Sequence, residues 1–250
     1  MLSELKIAIE AAKAGAKASL VYFNNNPKVT VKPDNTPVTR ADKEGEEAIK
    51  KVILGAFPNA SFLGEESGST GSGETVWVID PVDGTKNFIR GIPFWGIEIA
   101  LVKKNEIVLG VSLGPVMNEL MYAEKGKGAF LNGKKVSVSK IAKLSDALIN
   151  HGTLHYFKNR MPRVLDLIGK TYRERGYADF YGYHLVASGR ADIMLDAKNG
   201  PWDIAALKII VEEAGGRVTN YEGDPWQLSD TTGVATNRLL HDEVIKVLNE

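Results

Sequence analysis

Leu2, Leu5, Ile9, Ala12, Ala16, Leu20 and Phe23 recur at the spacing of one helix face, with Ser3 at the start and Asn24, Asn25, Asn26 and Pro27 ending the run. A second helix is predicted from near Thr39 through Ile49, Val52 and Ile53 to Gly55. The period then shortens to that of strands. Phe62 to Gly64 and Val76 to Ile79 read as short buried strands, and Ile97 to Lys103, Glu106 to Val111, Leu120 to Ala123 and Ala129 to Val138 as an antiparallel meander turning at Lys104–Asn105 and Asn132–Gly133. Further on, helices are predicted over Val164 to Arg173, Tyr183 to Ala187 and Asp203 to Ala214, the last stopped by Gly215 and Gly216. A strand over Asp192 to Leu195, another over Gly233 to Thr236 and a helix over His241 to Leu248 complete the pattern. Propensity alone gives a mixed α and β chain without internal repeats.

Composition narrows the chemistry. The 250 residues can bury a sizeable core as one domain or as two small lobes. Thirty-one basic residues balance thirty-one acidic ones, so neither a nucleic-acid footprint nor a polybasic membrane anchor is expected. Absence of cysteine excludes disulfides, thiolate catalysis and thiolate-ligated zinc, and four histidines leave little scope for imidazole sites. No apolar run is long enough for a membrane span, and Glu4, Lys6 and Glu10 interrupt any signal peptide, which points to the cytoplasm.

Hard-cation chemistry remains, and one segment invites it. Asp80-Pro81-Val82-Asp83-Gly84-Thr85 sets two carboxylates three residues apart where a strand ends and a helix is predicted to begin. Pro81 cannot extend a sheet ladder, and Gly84 permits close backbone approach to a ligand. The first amides of a helix opening at Thr85 face an anion, while Asp80 and Asp83 supply the oxygens Mg²⁺ prefers. The competing reading is an ordinary Asp-Gly turn. A second acidic pair, Glu65-Glu66, follows another short apolar stretch, with a Ser- and Gly-rich loop, Ser67 to Gly73, expected to be exposed.

Together, Leu63-Gly64-Glu65-Glu66-Ser67 and Trp77 to Phe88 resemble the metal motifs of the inositol-monophosphatase family. Pro37 to Asp42, Trp202 to Ala206 and Glu213 to Gly216 match its other signatures, so the resemblance spans nearly the whole chain. It implies an α/β (α+β) layered α-β-α-β-α fold in a single unit over 1–250. The N-terminal lobe, about 1–143, would carry the metal motifs, and the C-terminal lobe, about 144–250, Asp203 and the substrate pocket. It also implies a homodimer acting on a small phosphorylated substrate with two or three Mg²⁺ ions. Residue by residue, Glu65, Asp80 and the Val82 carbonyl would hold the first ion, and Asp80, Asp83 and Asp203 the second. A third would rest on Glu65, with Glu66 supporting from behind. Asp42 and Thr85 resemble the pair that orients and deprotonates the attacking water, and the amides of Gly84 and Thr85 would hold the phosphate. Helix capping is a competing role for Asp42 and Asp203. Lys32 lies where the family carries a loop over the site, or is simply solvated.

The substrate side departs from the inositol enzymes. Where those carry small residues, this chain reads Tyr177-Ala178-Asp179-Phe180-Tyr181-Gly182-Tyr183, a carboxylate among aromatics that suits an ammonium or imidazolium. This run, with the Asp80 to Gly91 motif, Pro93 and Trp95, resembles the histidinol-phosphate phosphatases. Asp179 and Phe180 are therefore candidate substrate contacts, or a cap and a core residue. Asp196 is a second candidate carboxylate, or part of a turn with Asn199 and Gly200. Arg90 and Trp95 either close the pocket wall or pack between subunits. The rival functions are an inositol-1-phosphate or broad sugar phosphatase, a 3′,5′-nucleotide bisphosphatase, and an inactive metal- or phosphate-binding regulator.

Overall fold

A computed structural model describes residues 3–25, 27–33 and 36–250. Leu2 of the first predicted helix, Asn26 of its terminating turn, and Asp34 and Asn35 of the loop after Lys32 lie outside the described residues.

Helices α1 (Glu4–Leu20), α2 (Arg40–Ala56), α3 (Thr85–Phe88), α4 (Met161–Lys170), α5 (Asp179–Ala187), α6 (Pro201–Glu213) and α7 (His241–Asn249) alternate with two main sheets. The larger sheet has eight strands, in the order Lys134–Val136, Ala129–Leu131, Glu119–Glu124, Glu106–Gly114, Gly96–Lys103, Thr75–Asp83, Ser61–Gly64, Gly68–Thr70. Its two faces follow the alternation of side chains along a strand. Trp77, Ile79, Ile97 and Ile99 lie under Ile7, Ala11, Ile49 and Ile53 of α1 and α2. Val78, Ala100 and Val102 lie instead with Ile204, Leu207 and Ile210 of α6. Gly110 permits the second approach, because a Cβ there would run into the Ala206 carbonyl and Ile209 of α6.

The smaller sheet has five strands, in the order Arg173–Arg175, Leu148–His151, Ile193–Ala197, Thr232–Thr236, Arg217–Thr219. Helices α5 and α6 share the core between the two sheets, and Val164 and Leu167 of α4 with Val244, Val247 and Leu248 of α7 cover the outer face beside Ile193 and Leu195. The result is the layered α-β-α-β-α architecture.

Several elements differ from the expectations. Helix α1 stops at Leu20, and Phe23 turns inward to meet Phe88 and Trp95 at ring-centroid distances of 5.5 and 5.6 Å. The predicted helix to Arg173 ends at Lys170, because Arg173–Arg175 pairs in parallel with Leu148–His151 at the sheet edge. Helix α5 starts at Asp179, four residues before its predicted start at Tyr183. Within the exposed Ser67 to Gly73 segment, Gly68–Thr70 is an edge strand against Ser61–Gly64.

Candidate active site

The site is built on an irregularity of one strand. Thr75–Asp83 runs past Pro81, with Asp80 opposite Glu98 but Asp83 opposite Gly96, so three steps on one strand match two on its neighbour. Residues three apart on a regular strand point to opposite faces; the extra residue of this bulge turns Asp80 and Asp83 to the same side. Val82 N–H donates to Asp80 Oδ1 at 2.9 Å and fixes the bend. The chain then leaves through Gly84 at φ 83°, where a Cβ would sit 2.9 Å from the Phe94 carbonyl. Glycine answers both the left-handed backbone and the close approach.

The third carboxylate arrives from across the molecule. Asp203 is in the first turn of α6 and accepts the Gly200 N–H at 2.6 Å, so it caps its helix and faces the site at once. One oxygen from each of Asp80, Asp83 and Asp203 lies within 4.8 Å of the others. Burial, then the charges of Glu65 and Asp83, raise Asp80 well above the usual carboxylate range; burial and Asp179 do the same to Asp83. Asp203 is raised to about 6 by burial, which outweighs the Gly200 N–H and a hydrogen bond with Asp80. Such crowding is relieved by protons or by a cation.

Glu65 and Glu66 stand beside this cluster and are partly buried. Lys32 Nζ donates to Glu65 Oε1 at 2.8 Å and to Glu66 Oε1 at 2.6 Å. Burial opposes the charge on Lys32, but the two carboxylates outweigh it and raise its pKa. Glu66 is raised to about 7 by burial, against the pull of Lys32.

Asp42 fulfils two roles. Its Oδ2 accepts the Thr39 N–H at 2.8 Å and the Thr39 hydroxyl at 2.7 Å, closing the cap of α2. Its Oδ1 lies 3.1 Å from Thr85 Oγ1, which is also 3.0 Å from the Val82 carbonyl. One hydroxyl proton serves one acceptor at a time, so Thr85 chooses between Asp42 and Val82.

A pocket of about 300 Å³ opens over these groups and is lined by six carboxylates, Glu65, Asp80, Asp83, Asp179, Asp196 and Asp203. Asp179 opens α5 with φ 56°, and its side chain makes no cap. Its Oδ2 accepts from Asn87 Nδ2 at 2.9 Å, and burial, offset by Lys86, raises it to about 6. Asp196 is buried on the pocket wall, where it accepts the Ala197 N–H at 2.9 Å.

Three expected substrate contacts are elsewhere. Phe180 is fully buried against Gly96 and Gly114, and only its backbone N–H serves the site, donating to Asp83. Trp95 is fully buried with Ala41, Val82 and Phe88, so its ring neither closes the pocket nor packs between subunits. Arg90 is exposed beyond α3 and does not line the pocket.

Residues 1–250 match the model of the inositol monophosphatase family. The chain belongs to the inositol monophosphatase family. It is a phosphoric monoester hydrolase by that membership. The histidinol-phosphatase of Streptomyces coelicolor is 38% identical over 261 residues, spanning 100% of this chain and 98% of the relative. The fructose-1,6-bisphosphatase/inositol-1-monophosphatase of Thermotoga maritima is 38% identical over 213 residues, 85% of this chain and 82% of the relative. Among solved structures, the extragenic suppressor protein suhB of Bartonella henselae superposes with a TM-score of 0.92 at 30% identity, covering 98% of each chain.

On this inositol monophosphatase scaffold, sequence reasoning missed several supports. Glu46 is buried one turn after Asp42 on α2, accepts the Glu66 N–H at 2.9 Å and pairs with Lys50 at 2.7 Å. An acid among the buried positions of an amphipathic helix was the available signal. Glu98, fully buried opposite Asp80, takes the Ser112 hydroxyl at 2.7 Å, and Ser112 shares a 2.6 Å hydrogen bond with buried His184. Lys86 and Asn87, inside the Trp77 to Phe88 motif but given no role there, also line the pocket, as do Tyr156 and Lys198 from positions no local pattern marks.

Proposed function

We propose that this chain hydrolyses L-histidinol phosphate to L-histidinol and phosphate in a Mg²⁺-dependent reaction. The observation that carries the substrate is Asp179, a carboxylate on the pocket wall that the described residues meet with an Asn87 amide and no ion pair. An amino-bearing substrate would supply the missing cation. The name of the Streptomyces relative supports the same substrate.

The donor set fits a hard divalent ion. Asp80, Asp83 and Asp203 offer only oxygen, lie within 4.8 Å of one another and are raised by burial and mutual charge, a strain that a dication would relieve. Glu65 and the Val82 carbonyl are the further expected ligands. Bound there, such ions neutralise phosphate charge and acidify water. The protein's own groups supply the rest. Thr85 and Asp42 would hold the attacking water and accept its proton at Asp42 Oδ1. The Gly84 and Thr85 amides would meet the phosphate. Lys32 would release Glu65 as an ion takes its place.

A second reading, a polyol or sugar-phosphate phosphatase, is favoured by Asp196 and Asn199, which line the same pocket and suit hydroxyls. Phosphate release from histidinol phosphate and inositol 1-phosphate, with Mg²⁺ and then with chelator, decides between them. A higher kcat/KM on histidinol phosphate is expected. The reverse order would favour the second reading, and no Mg²⁺-dependent release from either would favour the inactive regulator.

A further inference from the structure

Helix α5 has no solvent side to orient it. Every residue from Gly182 to Ala187 is buried, so no apolar stripe marks one face of the helix as the inner one, and packing alone fixes its rotation weakly. That rotation matters, because Asp179 stands at the helix start and lines the pocket.

Directional bonds supply what packing does not. The Phe180 N–H donates to Asp83 at 2.6 Å. Four residues further on, His184 is wholly buried and bonds a different strand, its Nε2 lying 2.6 Å from Ser112 Oγ on Glu106–Gly114. Ser112 gives its single proton to the equally buried Glu98, at 2.7 Å, so the His184 Nε2–H supplies the other bond. At the far side of the ring, Glu119 Oε2 stands 3.4 Å from Nδ1, and Arg190 holds the two Glu119 oxygens at 2.7 and 2.8 Å.

Burying a carboxylate, a hydroxyl and an imidazole between two sheets costs stability that well-packed apolar side chains would not. What the polar chain adds is direction, since the bond from His184 to Ser112 forms at one rotation of α5 and not at others. The Phe180 bond alone is a pivot. A second bond about 6 Å along the axis, at 1.5 Å per residue, gives α5 two fixed points on two strands and sets both its axis and its rotation. We infer that His184 is a positioning residue: through Ser112 and Glu98 it holds α5 at the rotation that aims Asp179 into the pocket. The inference rests on the reading of Asp179 as the group that meets the substrate's cation, and adds a residue outside the pocket that governs the same selectivity. Such supports matter because a binding group must be held within about 0.5 Å of its working position.

His184→Leu tests this, because it leaves the bond from Ser112 to Glu98 and the pair of Arg190 with Glu119 in place. On the Mg²⁺-loaded enzyme it should lower kcat/KM for histidinol phosphate by about tenfold, the scale of one charge-assisted contact, mostly through KM, and should change that for inositol 1-phosphate by less than about twofold. Ser112→Ala should have the same effect from the sheet side, and serves if His184→Leu does not fold. His184→Gln, whose amide can still donate to Ser112, should keep most of the selectivity. In an Asp179→Asn background His184→Leu should cost nothing further, a coupling that lost stability alone would not produce. Selectivity that Asp179→Asn abolishes but His184→Leu and Ser112→Ala preserve, equal losses on both substrates, or additive effects of the two substitutions would overturn the inference and leave the reading of Asp179 standing. An unaltered enzyme without preference for histidinol phosphate, or one whose preference survives Asp179→Asn, would remove that reading and the inference with it.

Discussion

Asp83 Oδ2 accepts the backbone N–H of Phe180 at 2.6 Å, a bond between residues 97 positions apart. It ties the bulged strand to the first turn of α5, so the residue expected to bind metal and the residue expected to read the substrate, Asp179, share one anchor. Asp83→Asn should therefore lower kcat by about a thousandfold or more on the scale of lost transition-state charge stabilisation. It should also weaken discrimination between amino-bearing and polyol substrates. Initial rates on both substrates, with circular dichroism to confirm folding, check this; undiminished turnover would refute the assignment.

Mg²⁺ should raise the melting temperature, because the metal-free cluster holds buried carboxylates that raise one another's pKa. An ion binding only the folded state stabilises it by about 2.7 kcal/mol at a hundred times its Kd. The shift should shrink in Asp83→Asn. A melting curve indifferent to millimolar Mg²⁺ would contradict the site.

Thr85→Val and Asp42→Asn should each reduce kcat by roughly a hundredfold to ten-thousandfold, the range of a lost acid-base contribution. Only Asp42→Asn should also lower stability, since Asp42 Oδ2 caps α2 through Thr39. Urea titrations beside turnover assays separate the two effects. Equal destabilisation by both substitutions would make Thr85 a structural residue.

Asp179→Asn should lower kcat/KM for histidinol phosphate by about tenfold or more, the worth of one charged contact, and spare inositol 1-phosphate. If both fall equally, Asp179 is a support for Asn87 and α3 and not a specificity group.

His241 should draw stability down as pH drops from 6.5 toward 4, against the opposite contribution of the raised carboxylates Asp80, Asp83, Asp179 and Asp203 over the same window. Buried His241, between the Thr219 and Thr236 hydroxyls, is lowered from 6.5 to about 4 by burial and then by Arg217. In that window the unfolded chain binds the proton at this ring and the folded chain does not, so the contribution of His241 is full above 6.5 and declines by at most about 1.4 kcal/mol per pH unit below it. Urea unfolding of the unaltered protein and of His241→Gln at both ends of the window isolates that contribution: the difference in stability between them should shift with pH in the stated direction, and a difference independent of pH would refute it.

The acidic cluster was legible through the family resemblance, whose motifs are local: two acids around Pro81, one acid at a helix start, and an adjacent pair after a strand. Periodicity placed α1, α2, α6 and the meander for the same reason. What it obscured depends on distant packing. Phe180 and Trp95 were candidates for the pocket because aromatic rings suit ligands as well as cores, and nothing near them in sequence says that Gly96, Gly114 and Phe88 will receive them. Arg173 left its predicted helix for a strand because a parallel neighbour 25 residues upstream offered pairing, Leu148 to Arg173. Asn87, Tyr156 and Lys198 meet only once both sheets are assembled.

The bulge between Asp80 and Asp83 makes the chemistry of this protein depend on a count. Substituting Pro81 or Val82 would disturb local contacts, but straightening the strand so that every residue paired in turn would send one of the two acids, three positions apart, through to the face covered by α1 and α2. The site would then be lost with every one of its ligands still present in the sequence. Register at this point, as much as side-chain identity, is what separates a phosphatase from a well-folded protein with a buried acid in its core.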